Sequence, residues 1–498
     1  MLLGQRGLRC LAAATAGAVL PVAFAPLQWF WVAPISLSVF FYLVERQRPW
    51  DGWWIGACYG WSSFLFGTSW VYVSVREFGQ APLPVALLVT VGMVAILGLY
   101  AAIIGYVGNR FFVRLGHYRL LLVWPALWIL GEWLRARLLS GFGWLSIGYS
   151  QSDTVLNGYA PVVGVLGISL VVAFSAGALV LLLCRPCLRH GVPLGIAALM
   201  WLAGVGLQTA VWTQPRAESV SVSLVQGAIP QDEKWLPQSR APTLALYAEL
   251  TQPELGRDII IWPEAAIPDL YHRVEPYLAR IEAAALARNS VVLLGILRDD
   301  PDSTFQNTVV ALDGERSSYV KRHLVPFGEY FPVPAFVRRW MRLMSLPYTD
   351  AEPGKADQPP LRAGGELLGV TICYEDVFGA EQLAFARDAS ILVNVSNDAW
   401  FGDSIAPHQH LQIARLRAAE AARYLLRATN TGISAVIDPQ GKIVAQSPQF
   451  QAAVLRAEVT GTDGRTPYAR FSDWPTLLLC AAMLLAAVTR QRISRQRN

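Results

Sequence analysis

Long apolar runs dominate both ends of this chain, and they leave few folds open to it. They fall at about residues 7–25, 27–45, 52–74, 82–108, 119–136, 161–183, 193–212 and 473–489. A helix needs about 20 apolar residues to cross a hydrocarbon core of roughly 30 Å, so each run is expected to span a membrane. Charge content agrees: 15% of the 498 residues are charged, against about a quarter in an ordinary soluble protein. Between 214 and 472 the composition becomes that of a globular domain. The expected organisation is a membrane domain over 1–213, an extramembrane domain over 214–472, an eighth helix over 473–489 and a basic tail over 490–498. Arg6, Arg9 and the apolar stretch ending in Ala23-Phe24-Ala25 resemble a signal peptide, but retention as the first helix is expected.

Short loops on the cytoplasmic side of a membrane are enriched in Lys and Arg. With the N-terminus inside, the cytoplasmic segments carry Arg6, Arg9, Arg46, Arg48, Arg110, Arg114, Arg119, Arg185, Arg189, Arg490, Arg492, Arg495 and Arg497. The opposite loops carry only Arg76, Arg135 and Arg137. Both termini are therefore expected in the cytoplasm and the 214–472 domain outside it. The net charge of +5 comes largely from those cytoplasmic arginines and implies no nucleic-acid partner.

The external domain alternates strand-like and helix-like stretches. Strand patterns occupy 219–227, 258–266, 290–297, 307–314, 367–376 and 390–398, with a hairpin over 433–446; helix patterns occupy 274–289, 380–388 and 410–430. Fully apolar strands alternating with helices suit an α/β sandwich. Three apolar strand ends break into one reactive polar group each: Glu264 after "IIIWP", Lys321 in "SSYVKRH", and Cys373 after "VTI". Cys373 is the only cysteine of this domain, and an unpaired thiol is either a small buried hydrophobe or a nucleophile. Ligands of such sheets bind where strands end. A carboxylate there is a candidate general base and an amine a candidate oxyanion donor, while an ammonium lowers a neighbouring thiol's pKa. Together they suit covalent acyl transfer. Taken singly, Glu264 is equally readable as a turn cap and Lys321 as an exposed cation.

"WPE" (262–264), "KRHLVPFGEYFP" (321–332) and "CYED" (373–376) resemble the Glu–Lys–Cys blocks of the nitrilase, or carbon–nitrogen hydrolase, superfamily. With the membrane helices and "VSNDAWFG" (395–402), the chain is similar to the apolipoprotein N-acyltransferase family. The resemblance implies a polytopic membrane protein of about eight helices carrying an external nitrilase-like αββα sandwich. It implies that Cys373 takes an acyl chain from a phospholipid, such as the sn-1 chain of phosphatidylethanolamine. Glu264 would handle the proton and Lys321 the oxyanion. The thioester would then pass the chain to the α-amino group of a diacylglyceryl-modified apolipoprotein. Glu329, Tyr374, Glu375 and Trp235 match further positions of that family. The implied location is a bacterial inner membrane, with the catalytic domain periplasmic. No cofactor is expected, because the ester already supplies an activated acyl group and no nucleotide-binding loop is present; a monomer is the default.

Three further stretches bear on lipid contact. "VPAFVRRWMRLMSLP" (333–347) has the apolar and basic faces of an interfacial helix. Trp400 and Phe401 are readable as an aromatic gate or as loop packing. "GFGWLSIGYSQSD" (141–153) either folds back toward substrate or forms an interface belt. His408 and His410 lack companions at ligand spacing, so no metal is expected. The alternative reading is a membrane-tethered amidase hydrolysing small amides with the same triad.

Overall fold

Contacts divide the computed structural model into two units. One joins Met1–Val211 with Asp403–Leu416 and Thr466–Asn498; the other joins Trp212–Gly402 with Arg417–Arg465. The structure describes residues 2–113, 115–299, 305–330, 351–385 and 388–496. The amphipathic stretch 333–347 lies outside the described residues.

In the first unit, Leu83–Phe111, Val155–Cys184, Leu188–Gln208 and Trp474–Ser494 are, among the described residues, four helices long and apolar enough to cross a membrane. Helices also cover Leu2–Val19, Val32–Val44, Pro49–Gly67 and Trp124–Arg135. Lipid supplies no hydrophobic drive for helix pairing, so small residues that admit close approach decide the contact. Pro49–Gly67 and Leu83–Phe111 pair in this way: a Cβ on Gly56 would stand 2.2 Å from the Ala101 carbonyl oxygen, and one on Gly105 2.2 Å from that of Gly52. The 141–153 stretch is not a belt of surface rings. Trp144 and Tyr149 are buried, and Trp144 Nε1 donates to Gln409 Oε1 at 2.8 Å. Gln412 Nε2 donates to Ser152 Oγ at 3.2 Å, and Arg415 pairs with Asp153. Within this unit the stretch is thus folded back onto 403–416.

Among the described residues, the second unit holds twelve strands in two six-stranded sheets. The first sheet contains β1 (Gln214–Gln226), β2 (Ile259–Ile261), β3 (Val291–Asp299), β4 (Phe305–Leu312) and β5 (Ser318–Val320). The second contains β6 (Leu361–Ala363), β7 (Glu366–Ile372), β8 (Ile391–Ser396), β9 (Leu425–Thr429), β10 (Ala435–Ile437) and β11 (Ile443–Gln446). β12 (Ala453–Asp463) returns to the first sheet, giving the orders β12-β1-β2-β3-β4-β5 and β11-β10-β9-β8-β7-β6. β1–β2–β3 and β7–β8–β9 are parallel.

The strands' period of two assigns the layers. Val222, Leu224, Ile259 and Ile261 meet Val370, Ile372, Val393 and Val395 in one core shared by both sheets. The alternate residues Val225, Ile260 and Val292 pack outward on Val274 and Leu278 of the helix Tyr271–Leu286. The result is a two-sheet sandwich with a helix packed on its outer face.

Some elements depart from the expectation. The helical pattern over 410–430 stops early: the helix is Ala406–Ala421, Ala422 has a left-handed backbone (φ 49°), and Leu425–Thr429 becomes β9. Every residue of β9 is buried, and a segment buried on all sides carries no period that separates helix from strand. The edge strand β12 was absent from the sequence reading; its outer residues alternate only weakly in exposure.

Candidate active site

β2, β5 and β7 end within reach of one another, and each delivers one of the three reactive groups. Glu264 follows β2 by three residues. Its backbone turns sharply, with Ala265 at φ 43°, and rides directly on β3. A Cβ on Gly295 would stand 2.6 Å from the Glu264 Cα, so only glycine fits there. Glu264 is buried, and both its oxygens are engaged. Oε1 accepts from Asn307 Nδ2 at 2.7 Å and from Lys321 Nζ at 3.4 Å; Oε2 accepts from the Asn397 backbone N–H at 2.8 Å.

Lys321 leaves β5 pointing into the same space, fully buried. Its backbone N–H donates to the Asn307 carbonyl at 2.8 Å. Its Nζ also donates to Glu329 Oε1 at 2.8 Å. Asn307 Nδ2 reaches Glu329 Oε1 as well, at 3.1 Å, and Glu329 Oε2 accepts from the Val325 N–H at 2.8 Å. Burial opposes charge on Lys321, but Glu329 and Glu264 outweigh it, and the pKa is raised. The ammonium is therefore held charged between two carboxylates.

Cys373 forms the corner between β7 and a tight turn over Cys373–Val377. Its φ of 51° is a strained value for a residue with a side chain, and such strain collects at functional sites. The sharp turn lifts the side chain out of the strand, in the manner of a nucleophile elbow. Burial pushes the thiol well up, Glu264 adds to this, and Lys321 only partly offsets it; Asp398 raises it further, and a hydrogen bond with Ser396 lowers it. This corrects the expectation that the lysine would favour a thiolate. Two buried cations paired near it, Lys321 and Arg427, face four carboxylates, Glu264, Glu329, Asp376 and Asp398. In that field the resting sulfur is a protonated thiol.

Glu375 lies two residues on, buried, and works as a brace. Its carboxylate accepts from the N–H groups of Ile372 (2.7 Å), Arg322 (2.7 Å) and His323 (3.1 Å) and from Tyr319 Oη (3.0 Å). Burial pushes its pKa up, against those donors and Lys321. Tyr374 is half-buried, its ring edge-on to Phe378 with centroids 5.1 Å apart. Trp235 is 47% exposed and Trp400 42%, and Phe401 is half-buried; Trp400 and Phe401 share the turn Asp398–Phe401. Among the described residues no group of three or more His, Cys, Asp or Glu could hold a metal ion.

Several site residues escaped the sequence reading. Arg427, on β9, is fully buried and bridges Asp376 Oδ2 (3.1 Å) and Asp398 Oδ2 (2.8 Å) while donating to Asn394 Oδ1 (2.6 Å). Asn394 Nδ2 in turn holds the Cys373 carbonyl at 3.3 Å. Asn307 and Asn397, which orient Glu264, lie in the strand patterns 307–314 and 390–398, Asn397 also in the "VSNDAWFG" block, without a local sign of that role. A polar residue inside a strand destined for burial was the one available signal.

Comparison with known proteins agrees with this architecture. Residues 16–178 match the family described as the apolipoprotein N-acyltransferase N-terminal domain, and 221–467 match carbon–nitrogen hydrolase. Apolipoprotein N-acyltransferase of Methylococcus capsulatus is 41% identical over 486 residues, covering 97% of this chain and 96% of that one. Its namesake in Vibrio parahaemolyticus is 40% identical over 497 residues, covering 98% of both. The Coxiella burnetii protein of the same name is 40% identical over 474 residues, covering 94% of this chain and 98% of its own length. Similarity of this extent runs through the helical and sheet regions alike, and the chain belongs to the apolipoprotein N-acyltransferase family of acyltransferases.

Proposed function

We propose that the protein moves a fatty acyl chain from a phospholipid to the N-terminal α-amino group of diacylglyceryl-modified apolipoproteins, through a thioester on Cys373. The observation that carries this is the convergence of Glu264, Lys321 and Cys373 at three strand ends, where the thiol is protonated and a carboxylate stands ready beside it. Glu264 takes the Sγ proton as sulfur attacks the ester carbonyl, and Lys321 Nζ receives the oxyanion with the N–H of Tyr374. Collapse releases a lysophospholipid, which leaves with the proton from Glu264. The acceptor amine then attacks the thioester and returns the proton to sulfur by the same route. Phosphatidylethanolamine, acylated at sn-1, is the proposed donor.

Membrane context supports transfer over hydrolysis. Both substrates are lipid-anchored, and a thioester persists only where water is excluded. The eight helical segments are proposed as spans of the bacterial inner membrane, with both termini cytoplasmic and 214–472 in the periplasm. Trp235, Trp400 and Phe401 are proposed as acyl-chain contacts, and Tyr374 and Glu375 as supports of the elbow.

Incubation with phospholipid carrying a labelled acyl chain, without acceptor, is expected to leave about one label per protein on the peptide containing residue 373. Hydroxylamine should release it. A lipopeptide amine should discharge it faster than water does; discharge to water alone would favour the amidase reading, and absence of retained label would exclude a covalent route.

Glu329→Ala is expected to lower kcat/KM about tenfold, or about 1.4 kcal/mol of transition-state stabilisation, because Lys321 loses its 2.8 Å partner. Steady-state kinetics check this, and unchanged constants would remove Glu329 from the machinery.

A further inference from the structure

Lys234 is fully buried, yet its Nζ has no hydrogen-bond partner among the described residues. A buried ammonium offers three donors and no acceptor, and leaving them unmet is costly. Such a group is retained where a ligand supplies the missing acceptor.

The surroundings of Lys234 identify the place. It ends a four-residue helix, Gln231–Lys234. Gln231 Oε1, at the other end, accepts from Asn397 Nδ2 at 2.9 Å, and the backbone N–H of the same Asn397 holds Glu264 Oε2. One asparagine therefore ties the lysine's helix to the general base. Burial pushes the Lys234 pKa down to about 8, while the Glu264 carboxylate opposes that fall, so amine and carboxylate sense each other. Trp235, next in the chain, is 47% exposed; the segment turns its cation inward and its indole outward.

Resting on the acyl-transfer reading above, we propose that Lys234 Nζ donates a hydrogen bond to the leaving glycerol oxygen of the phospholipid donor. That oxygen must lie beside Glu264, because it receives the proton that Glu264 took from Cys373. As the C–O bond breaks, its electron pair collects on the oxygen and the Glu264 proton joins it. Lys321 is committed to the carbonyl oxygen and to Glu329, whereas Lys234 Nζ, buried and without a hydrogen-bond partner among the described residues, has capacity to assist Glu264 at this other oxygen. In the second half-reaction an amine nitrogen occupies the same place, and a protonated lysine gives it no help. Lys234 thus acts in acyl loading and not in discharge.

The test compares two acyl donors on the full-length protein without acceptor: phospholipid, whose alkoxide leaves with difficulty, and a p-nitrophenyl ester of the same acid, whose phenolate leaves without help. Acyl loading on Cys373 is read by mass. Lys234→Met is expected to slow loading from phospholipid about 100-fold, with less than about threefold change from the activated ester. Discharge of pre-loaded enzyme by a lipopeptide amine should be unchanged, and Lys234→Arg should recover part of the phospholipid rate. Equal slowing with both donors, including complete failure of the variant, would make Lys234 structural and overturn the proposal; so would undiminished loading from phospholipid, or a defect confined to discharge. Failure of the unmodified protein to load from either donor would instead overturn the acyl-transfer reading itself.

Discussion

Glu264→Gln is expected to slow acyl loading of Cys373 by about three orders of magnitude, within the range for loss of a general base, while making the same thiol easier to alkylate. The two effects have opposite signs because Glu264 plays two electrostatic parts. As the proposed base it removes the Sγ proton; as a nearby negative charge it makes that proton harder to lose, second only to burial in raising the thiol pKa. Glutamine keeps the shape and still accepts from Asn307 and Lys321, but it cannot take a proton and carries no charge. Thiolate therefore becomes more populated at any given pH. Iodoacetamide labelling of residue 373 at pH 8 should accelerate several-fold as loading from phospholipid collapses. A parallel fall in labelling and loading would mean that Glu264 merely holds the elbow in shape.

Arg427→Met is expected to lower the thermal transition of the sheet domain by about 10 °C. The guanidinium is fully buried between Asp376 and Asp398, both also fully buried. Removing one partner of such a set costs about 3–5 kcal/mol, because the remaining charges keep their desolvation cost without compensation. A domain of this size shifts by roughly 2–4 °C per kcal/mol. Adding Asp376→Asn and Asp398→Asn should restore part of the loss, since neutral amides need no counter-ion. A single variant with an unchanged transition would show that water reaches the network.

The three candidate reactive groups were more legible than the residues packed around them. Glu264, Lys321 and Cys373 each interrupt an apolar strand, and a reactive group at such an end is visible in one dimension. Glu329 and Glu375 came only with the family resemblance, since no local pattern says that a carboxylate four residues beyond Val325 reaches Lys321. Arg427 falls inside the helix pattern over 410–430; its segment is buried on every side, and only the pairing of β8 with β9 brings it under Cys373. Nothing in the sequence around Gly295 signals that the Glu264 backbone packs directly against it. Four of the expected spans are, among the described residues, helices long and apolar enough to cross a membrane, and these were legible because length and apolarity alone define such a segment. The retention of 403–416 with the helical unit was not, because it rests on single side chains such as Gln409 and Arg415.

The Glu375 carboxylate gathers the amides of residues 322 and 323, beyond the first sheet, together with that of residue 372 at the edge of the second. One side chain thereby serves as a spacer bar between the cation and the sulfur. Any shift between the two layers that keeps these three hydrogen bonds therefore moves the strand end of Lys321 and the strand end of Cys373 together.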